Sequence, residues 1–487
     1  MTPQGVLLET LIDALPDPPK VHGRANIFIA SLAIDSRAVR PGALFVALRG
    51  QASDGHNYIG EAIARGAVAI VCERADPAVR NVTNVVVADS AQALSKIADA
   101  FYRSPSRGLT VAGVTGTNGK TTTTHMVAEI VSASGLSAGI IGTLGTSFAG
   151  TDEPQSNTTP LASELHAFLA QMRDAGIRVV AMEVSSHALA LQRVADVRFA
   201  VGALTNVTRD HLDFHQTVEA YAAAKHELFE LAERCVFNVD DRYGETWASE
   251  VRAKKPVLTY ALDGQADLRA TGIDLRTDGS SFRLDGSKFE LHLPGKFNIS
   301  NALCAIAIAR SLGIADEASA RGLAIVESVR GRMERISDGD IDVIVDYAHT
   351  PDALQNALAA IGEIARGRRI VVFGCGGDRD RGKRPEMGAI AAHHADFSYI
   401  TSDNPRSEDP QTIIKEIVKG IGDAPHLVQS DRRAAIASAI ADARPGDVIL
   451  IAGKGHENYQ IVGDEILPFD DAAEARKALA QRGGVRA

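Results

Sequence analysis

The stretch Leu109-Thr110-Val111-Ala112-Gly113-Val114, followed at once by Gly116-Thr117-Asn118-Gly119-Lys120-Thr121, constrains this chain more than any other. An apolar run of strand length feeds a glycine loop, and the residues from Thr121 to Ile130 read as the helix that the loop opens. Glycines let backbone N–H groups close around a polyphosphate, and a helix N-terminus adds favourable partial positive charge. In such a loop Lys120 neutralises β/γ-phosphate oxygens, the Thr121 hydroxyl ligates Mg²⁺, and Thr122 follows inside the first turn. The run departs from G-x-x-x-x-G-K-[ST] because Val114 stands where the first glycine belongs. An ordinary Gly-rich turn is the bland alternative, but strand, loop and helix in this order point to ATP or GTP.

At 487 residues the chain is too long for one core, and its apolar strand candidates fall into three α/β blocks. Residues 1–106 carry ALFVAL from Ala43, then AVAIVCE and VTNVVVAD; the polar, Pro-containing segment from Tyr102 to Arg107 reads as a linker. Residues 107–334 carry GLTVAGV, AGIIGT, IRVVAMEV, FAVGALTN and ERCVFNV, mostly separated by helical stretches, the signature of a parallel P-loop sheet. Residues 335–487 repeat the alternation with IDVIVDY, RRIVVFG, DFSYITS and DVILIAG, which predicts a Rossmann-like C-terminal domain. The fold class is three consecutive α/β domains.

A net charge of −10 argues against a basic nucleic-acid-binding face. No uncharged apolar run reaches the roughly 18 residues of a membrane helix, and the N-terminus lacks a secretory pattern, so a cytoplasmic protein without membrane insertion is expected. Cys72, Cys235, Cys304 and Cys375 have no C-x-x-C spacing and read as reduced core thiols.

Ligands of open α/β sheets collect at the carboxyl ends of strands, where several polar clusters fall. Glu183 ends IRVVAMEV and is the natural acid to hold Mg²⁺ beside a phosphate loop, or else caps the next turn. His211, in Asp210-His211-Leu212-Asp213, is either an imidazole metal ligand or a turn residue, and with His215 four positions on it has no H-E-x-x-H pattern of a zinc protease. Lys225 lies in an alanine-rich stretch and reads as a solvated helix lysine. Asn298 and Asn301 precede NALCAIAIARSLG, where they either cap that helix or present amides to a purine; capping is the reading the residues favour. Arg330, Arg332 and Arg335 either reach a nucleotide phosphate or form surface ion pairs. The turns from Gly374 to Arg381 and from Asp403 to Arg406 look either like polar turns or like a site for a small zwitterion, Arg for carboxylate and acid for ammonium.

Taken in order, Gly116–Thr121, Glu183-Val184-Ser185-Ser186-His187, Asp210–Asp213, Gly295-x-x-Asn298-x-x-Asn301, Gly331-Arg332 and Asp346-Tyr347-Ala348-His349 resemble the Mur ligase family over the whole chain. The resemblance implies that the first domain holds the UDP end of a sugar nucleotide, near Ser36 (in Asp35-Ser36-Arg37) and the Gly50–Gly55 loop. It places Asn157, Thr158, Thr159, Ser185 and Arg193 on the muramoyl-dipeptide tail. ATP is assigned to Gly116, Thr117, Asn118, Gly119, Lys120, Thr121, Thr122, Asn298, Arg332 and Asp346, and Mg²⁺ to Thr121, Glu183, His211 and Lys225. Lys225 is expected as a carbamylated lysine (N6-carboxylysine), and Lys120, His211 and Lys225 as the catalytic set. The form Asp403-Asn404-Pro405-Arg406 accompanies members that add meso-diaminopimelate, whose recognition is assigned to Arg379, Asp403, Asn404, Arg406, Gly453 and Glu457.

The activity implied is ATP-dependent amide-bond formation between UDP-N-acetylmuramoyl-L-alanyl-D-glutamate and meso-diaminopimelate, through an acyl phosphate, in peptidoglycan precursor synthesis. A monomer acting on small molecules is expected. The alternatives are a lysine-adding relative, a folylpolyglutamate-synthase-like ligase, which has no need of residues 1–106, and a P-loop motor or switch.

Overall fold

A computed structural model of the chain describes residues 5–50, 53–75, 79, 81–276, 278–336 and 339–485. Two members of the Gly50–Gly55 loop, Gln51 and Ala52, lie outside the described residues. The structure is α/β, with a five-stranded N-terminal sheet, a parallel-rich sheet that includes Thr110–Thr115, and a separate six-stranded C-terminal sheet. Its residues form two compact units: Met1–Thr115, Leu136–Ala203 and Ala224–Cys235 make the first, and Gly116–Gly135, Leu204–Ala223 and Val236–Ala487 the second.

In the first unit the five-stranded sheet runs in the order Lys20–His22, Thr83–Val86, Ala67–Cys72, Ala43–Val46, Ser31–Ala33, and all its pairs are parallel except the first. Its central strands are apolar on both sides because both faces are covered: Leu44, Val46, Ala69 and Val71 pack into one core, Phe45, Ile70 and Cys72 into the other. Helix Ser90–Phe101 starts where the Asp89 carboxylate accepts from Ala91 N and Gln92 N. It ends at the predicted linker, with Arg103 and Ser104 in the left-handed region at φ 60° and 46°. Beyond that turn, Thr110–Thr115 pairs in parallel with Val179–Glu183, which pairs in parallel with Ala138–Gly142.

In the second unit, Lys120–Ala133 is the helix opened by the glycine loop; against it pack helices Lys296–Ser311 and Asp316–Ile325. The close approach of the last pair is permitted by Gly322, whose added Cβ would stand 2.5 Å from Ile130 Cα. Lys296–Ser311 is apolar nearly all round and correspondingly buried. The antiparallel meander Thr271–Arg276, Gly279–Leu284, Ser287–Leu291 has no counterpart in the sequence reading. Its strands are short and polar on their open side, so no apolar run announces them.

The C-terminal sheet has the order Glu334–Arg335, Asp342–Asp346, Val448–Ala452, Arg369–Phe373, Phe397–Ile400, His426–Val428, parallel throughout except at its first pair. Its last long strand in sequence, Val448–Ala452, inserts between the first two long ones. Helices cover both faces. Consequently Asp346, Gly453, Gly374 and Asp403 all lie at or just beyond the carboxyl ends of adjacent parallel strands. Among the described residues no helix is long and apolar enough to cross a membrane.

Candidate functional site

The glycine loop is held open by its neighbours in the second unit. Thr117 N donates to Asn206 O at 2.9 Å, Asn118 N to Asn206 Oδ1 at 2.9 Å, and Thr205 Oγ1 to Asn118 O at 2.6 Å. The Thr117 hydroxyl sits 3.1 Å from the buried Tyr221 hydroxyl. Gly116 and Gly119 have φ of 149° and 88°, and a Cβ on either would overlap Thr205 Oγ1 or Asn301 Oδ1 respectively. Glycine is required at both places by space, and at Gly119 by backbone conformation as well. The Lys120 ammonium folds over the loop onto Gly116 O (2.9 Å) and Thr117 O (3.0 Å), carbonyls that a phosphate would replace as its partner. Thr121 and Thr122 are buried in the first helical turn.

Three side chains from later in the chain reach this loop. Arg332 Nη2 lies 3.2 Å from Thr121 Oγ1, its guanidinium stacks on Tyr347 at 4.6 Å, and its buried Nε has no hydrogen-bond partner among the described residues. Asp352, in the first turn of helix Pro351–Ile364, accepts from Asn118 Nδ2 at 2.9 Å and from Thr208 Oγ1 at 3.3 Å. Asn301 packs against Gly119 and donates to Asn298 Oδ1 at 3.2 Å. The two asparagines do not cap their helix: Gly295 is the cap residue, Asn298 lies inside the first turn, and its amide donates to Pro294 O. The capping reading fails because the helix begins one residue after Gly295, earlier than the apolar run suggests.

Of the three arginines, Arg330 and Arg335 form ion pairs with Asp470 (2.9 Å) and Asp342 (2.7 Å), leaving Arg332 as the one aimed at the loop. Asp346 accepts from Met333 N (2.8 Å) and Ala348 N (2.9 Å); burial raises its pKa, and the nearby Arg332 charge opposes that. His211 takes a left-handed φ of 53° and has a half-exposed ring whose Nε2 is 3.4 Å from Asp210 Oδ2.

The turns after the C-terminal strands build a polar pocket. Asp403 and Asn404 are 7% and 3% exposed. Gly453 makes room for Asp403: with φ 116°, its added Cβ would come 2.5 Å from Asp403 Oδ2. Glu457 accepts from Asn404 Nδ2 (2.8 Å) and lies 3.4 Å from both the Tyr347 hydroxyl and Lys454 Nζ. Burial, and then the Asp403 charge, push its pKa up. Arg406 donates to Gly377 O at 2.7 Å; Arg379 is exposed, and both flank Gly376.

Two side chains that the sequence reading did not single out hold this pocket in place. The fully buried Arg384 bonds Glu408 (2.7 Å), Glu416 (2.7 Å) and Gly376 O (3.2 Å). Arg432 pairs bidentately with Asp471 at 2.7 Å and donates to Ala452 O at 2.9 Å. Their signal in the sequence is only that an Arg precedes or opens a helix, which is common on surfaces.

In the first unit Glu183 is 1% exposed and accepts from Thr143 N (2.8 Å) and Thr143 Oγ1 (3.1 Å). Thr158 Oγ1 lies 3.1 Å from Thr143 Oγ1, and Thr159 Oγ1 donates to Glu183 O at 2.8 Å while accepting from Ser185 N. Ser185 caps helix Ser186–Ala190. Arg193 Nη1 donates to Thr159 O at 3.0 Å, and its buried Nε has no hydrogen-bond partner among the described residues. Asn157 is half-buried, and its amide donates to Ser156 Oγ. Ser36 is buried and donates to Glu61 Oε2 at 2.8 Å.

Lys225 is 1% exposed, so the reading of a solvated helix lysine is overturned: it is sealed in with Tyr221, Ala222 and Ala224. Among the described residues no cluster of three His, Cys, Asp or Glu side chains is arranged to hold a metal ion. The Thr121 hydroxyl and the buried Glu183 carboxylate are hard oxygen donors of the kind Mg²⁺ takes.

A parallel strand feeding a pinned glycine loop, with an arginine and an aspartate returning from a second α/β fold, defines a P-loop nucleotide-binding protein. The sequence matches the Mur ligase middle domain over residues 114–309, the Mur ligase glutamate ligase domain over 331–455, and the Mur ligase family catalytic domain over 28–102. A UDP-N-acetylmuramoyl-L-alanyl-D-glutamate--2,6-diaminopimelate ligase of Geobacillus thermodenitrificans is 44% identical, over 98% of this chain and 99% of that one. Its namesake in Gloeobacter violaceus is 46% identical over 94% and 95%. A solved structure of a ligase of that name superposes with TM-score 0.69 at 32% identity, covering 99% of this chain and all of the other. The chain belongs to the Mur ligase family.

Proposed function

We infer that this chain is the ATP-dependent ligase that joins meso-2,6-diaminopimelate to UDP-N-acetylmuramoyl-L-alanyl-D-glutamate in peptidoglycan precursor synthesis. The near-full-length likeness to ligases of that name supports it. The observation that carries the amine specificity is the pocket at the strand ends. Two arginines flank Gly376 at one edge, and the buried Asp403 and half-buried Glu457 stand elsewhere in it. That arrangement suits an amino acid with two carboxylates and two ammonium groups.

The D-glutamyl side-chain carboxylate attacks the γ-phosphorus of ATP, releasing ADP and forming an acyl phosphate. The amine of diaminopimelate then attacks the acyl carbon, a proton leaves the nitrogen, and phosphate departs. Lys120 leaves its loop carbonyls to pair with the β/γ-phosphates, and Arg332, with an unsatisfied Nε, meets the nucleotide from the C-terminal side. Asn298 and Asp346 belong to the same nucleotide set. Mg²⁺, when bound, neutralises phosphate charge; Thr121, Glu183, His211 and a carbamylated Lys225 are its proposed ligands, with Lys120, His211 and Lys225 nearest the chemistry. Carbamylation replaces a buried ammonium by an anion that a cation can share. Ser36, Asn157, Thr158, Thr159, Ser185 and Arg193 are proposed to hold the nucleotide sugar and dipeptide, Arg193 through its unpartnered Nε. The four cysteines are buried thiols, which suits a reducing cytoplasm, and the protein is proposed to work as a monomer.

The test is phosphate release from ATP with UDP-N-acetylmuramoyl-L-alanyl-D-glutamate and meso-diaminopimelate, L-lysine or no amine. Release should require meso-diaminopimelate. Equal turnover with L-lysine refutes the amine assignment, and no turnover with either refutes the reaction.

A further inference from the structure

Lys454 is absent from every role assigned above, yet its side chain is fully buried in the amino-acid pocket. Its ammonium donates to Asn404 Oδ1 at 2.9 Å and stands 3.4 Å from Glu457 Oε2, 3.8 Å from Asp403 Oδ1 and 5.8 Å from the centre of the Tyr459 ring. Asn404 Oδ1 also accepts from Ile461 N, and Asn404 Nδ2 donates to Glu457, so the amide is locked in one orientation with Lys454 at its hub. Three of the side chains proposed to read the incoming amino acid therefore meet on one cation.

We propose that Lys454 is a positioning residue for amino-acid recognition: it fixes Asp403, Asn404 and Glu457 in the geometry that receives the substrate's ammonium. Two arguments beyond proximity support this. A lysine buried this deeply is costly unless its partners are charged, and here they are two carboxylates and an amide oxygen. The charges around this cation also leave a remainder: Asp403 and Glu457 carry two negative charges against one from Lys454, the adjoining Arg432–Asp471 pair is neutral, and Arg379 and Arg406, at the Gly376 edge, are the proposed partners of the substrate's carboxylates. One negative charge is thus left over, matching one ammonium of an incoming amino acid. Without Lys454, Asp403 and Glu457 would repel each other, and one of them would take up a proton or turn away.

This inference rests on the amine-ligase reading, and the experiment separates the two. Lys454→Met and Lys454→Gln are compared with the unaltered protein by steady-state kinetics, varying meso-diaminopimelate, ATP and UDP-N-acetylmuramoyl-L-alanyl-D-glutamate in turn, with thermal melting of each variant. Losing one charge-assisted contact network should raise KM for meso-diaminopimelate by about ten- to a hundredfold in Lys454→Met. Lys454→Gln, which keeps a donor for Asn404, should recover part of that loss, while KM for the other two substrates stays within about twofold. A uniform rise in all three KM values, an unchanged KM for meso-diaminopimelate, or loss of the folded melting transition in both variants overturns the proposal. Failure of the unaltered protein to use meso-diaminopimelate overturns the ligase reading instead.

Discussion

Removing the carboxylate of Asp471 is the sharpest stability test this structure offers. Asp471 and Arg432 are 0% and 1% exposed and joined by two hydrogen bonds of 2.7 Å, and the guanidinium also reaches two backbone carbonyls, Ala452 O at 2.9 Å and Ser402 O at 3.5 Å. Asp471→Ala leaves the guanidinium buried against those carbonyls without its hydrogen-bonded counter-charge, at a cost of about 3–5 kcal/mol. For a folding unit of some 150–250 residues, roughly 2–4 °C per kcal/mol converts this to a melting point lower by about 6–20 °C.

The double variant Arg432→Met with Asp471→Leu removes both charges and fills much the same volume, so it should lie within about 1.5 kcal/mol of the parent. Urea unfolding of the parent, the two single variants and the double variant closes the cycle. A loss below about 1 kcal/mol in Asp471→Ala, or a double variant as damaged as the single one, refutes the argument that an uncompensated buried charge is what costs stability. Because Ala452 precedes Gly453, the single variant should also weaken meso-diaminopimelate binding.

Gly119→Ala places a methyl on Asn301 Oδ1 at φ 88°, a strain of about 1–3 kcal/mol that should weaken ATP binding about tenfold by calorimetry; unchanged affinity would refute the cradle geometry. Arg406→Ala should lose most turnover with meso-diaminopimelate while ATP affinity stays near the parent's, and retained turnover would sink the pairing of Arg406 with a substrate carboxylate. The Arg384 guanidinium holds the Glu408 carboxylate down at about 2, below its ordinary 4.5. A depressed acid stabilises the fold fully above its unfolded pKa and loses that contribution as pH falls toward the folded one. Arg384→Met should therefore cost most at neutral pH, with the gap to the parent narrowing from pH 5 to pH 2 in unfolding titrations; a pH-independent gap would count against it.

The parallel strands, the glycine loop and the strand-end clusters were legible in the sequence because each is a local pattern: apolar runs of strand length, glycine spacing, polar residues straight after a strand. The antiparallel meander was not, since its short strands alternate with charged positions and carry no run. Burial was not legible either. Lys225 and Lys454 look like ordinary surface lysines in one dimension, and both are sealed inside the fold.

Long-range partnerships lay furthest from view. Asn118 meets Asp352 across 234 positions, and Thr121 meets Arg332 across 211. Apart from the family resemblance of Gly331-Arg332, nothing in either local stretch marks Arg332, rather than Arg330 or Arg335, as the arginine that turns inward. A chain's spacing dictates which residues share a strand end, because backbone geometry is short-ranged. Which of those residues face each other, and at what charge, follows from packing distant segments together, and that is where the nucleotide loop gains its arginine and the amino-acid pocket its buried lysine.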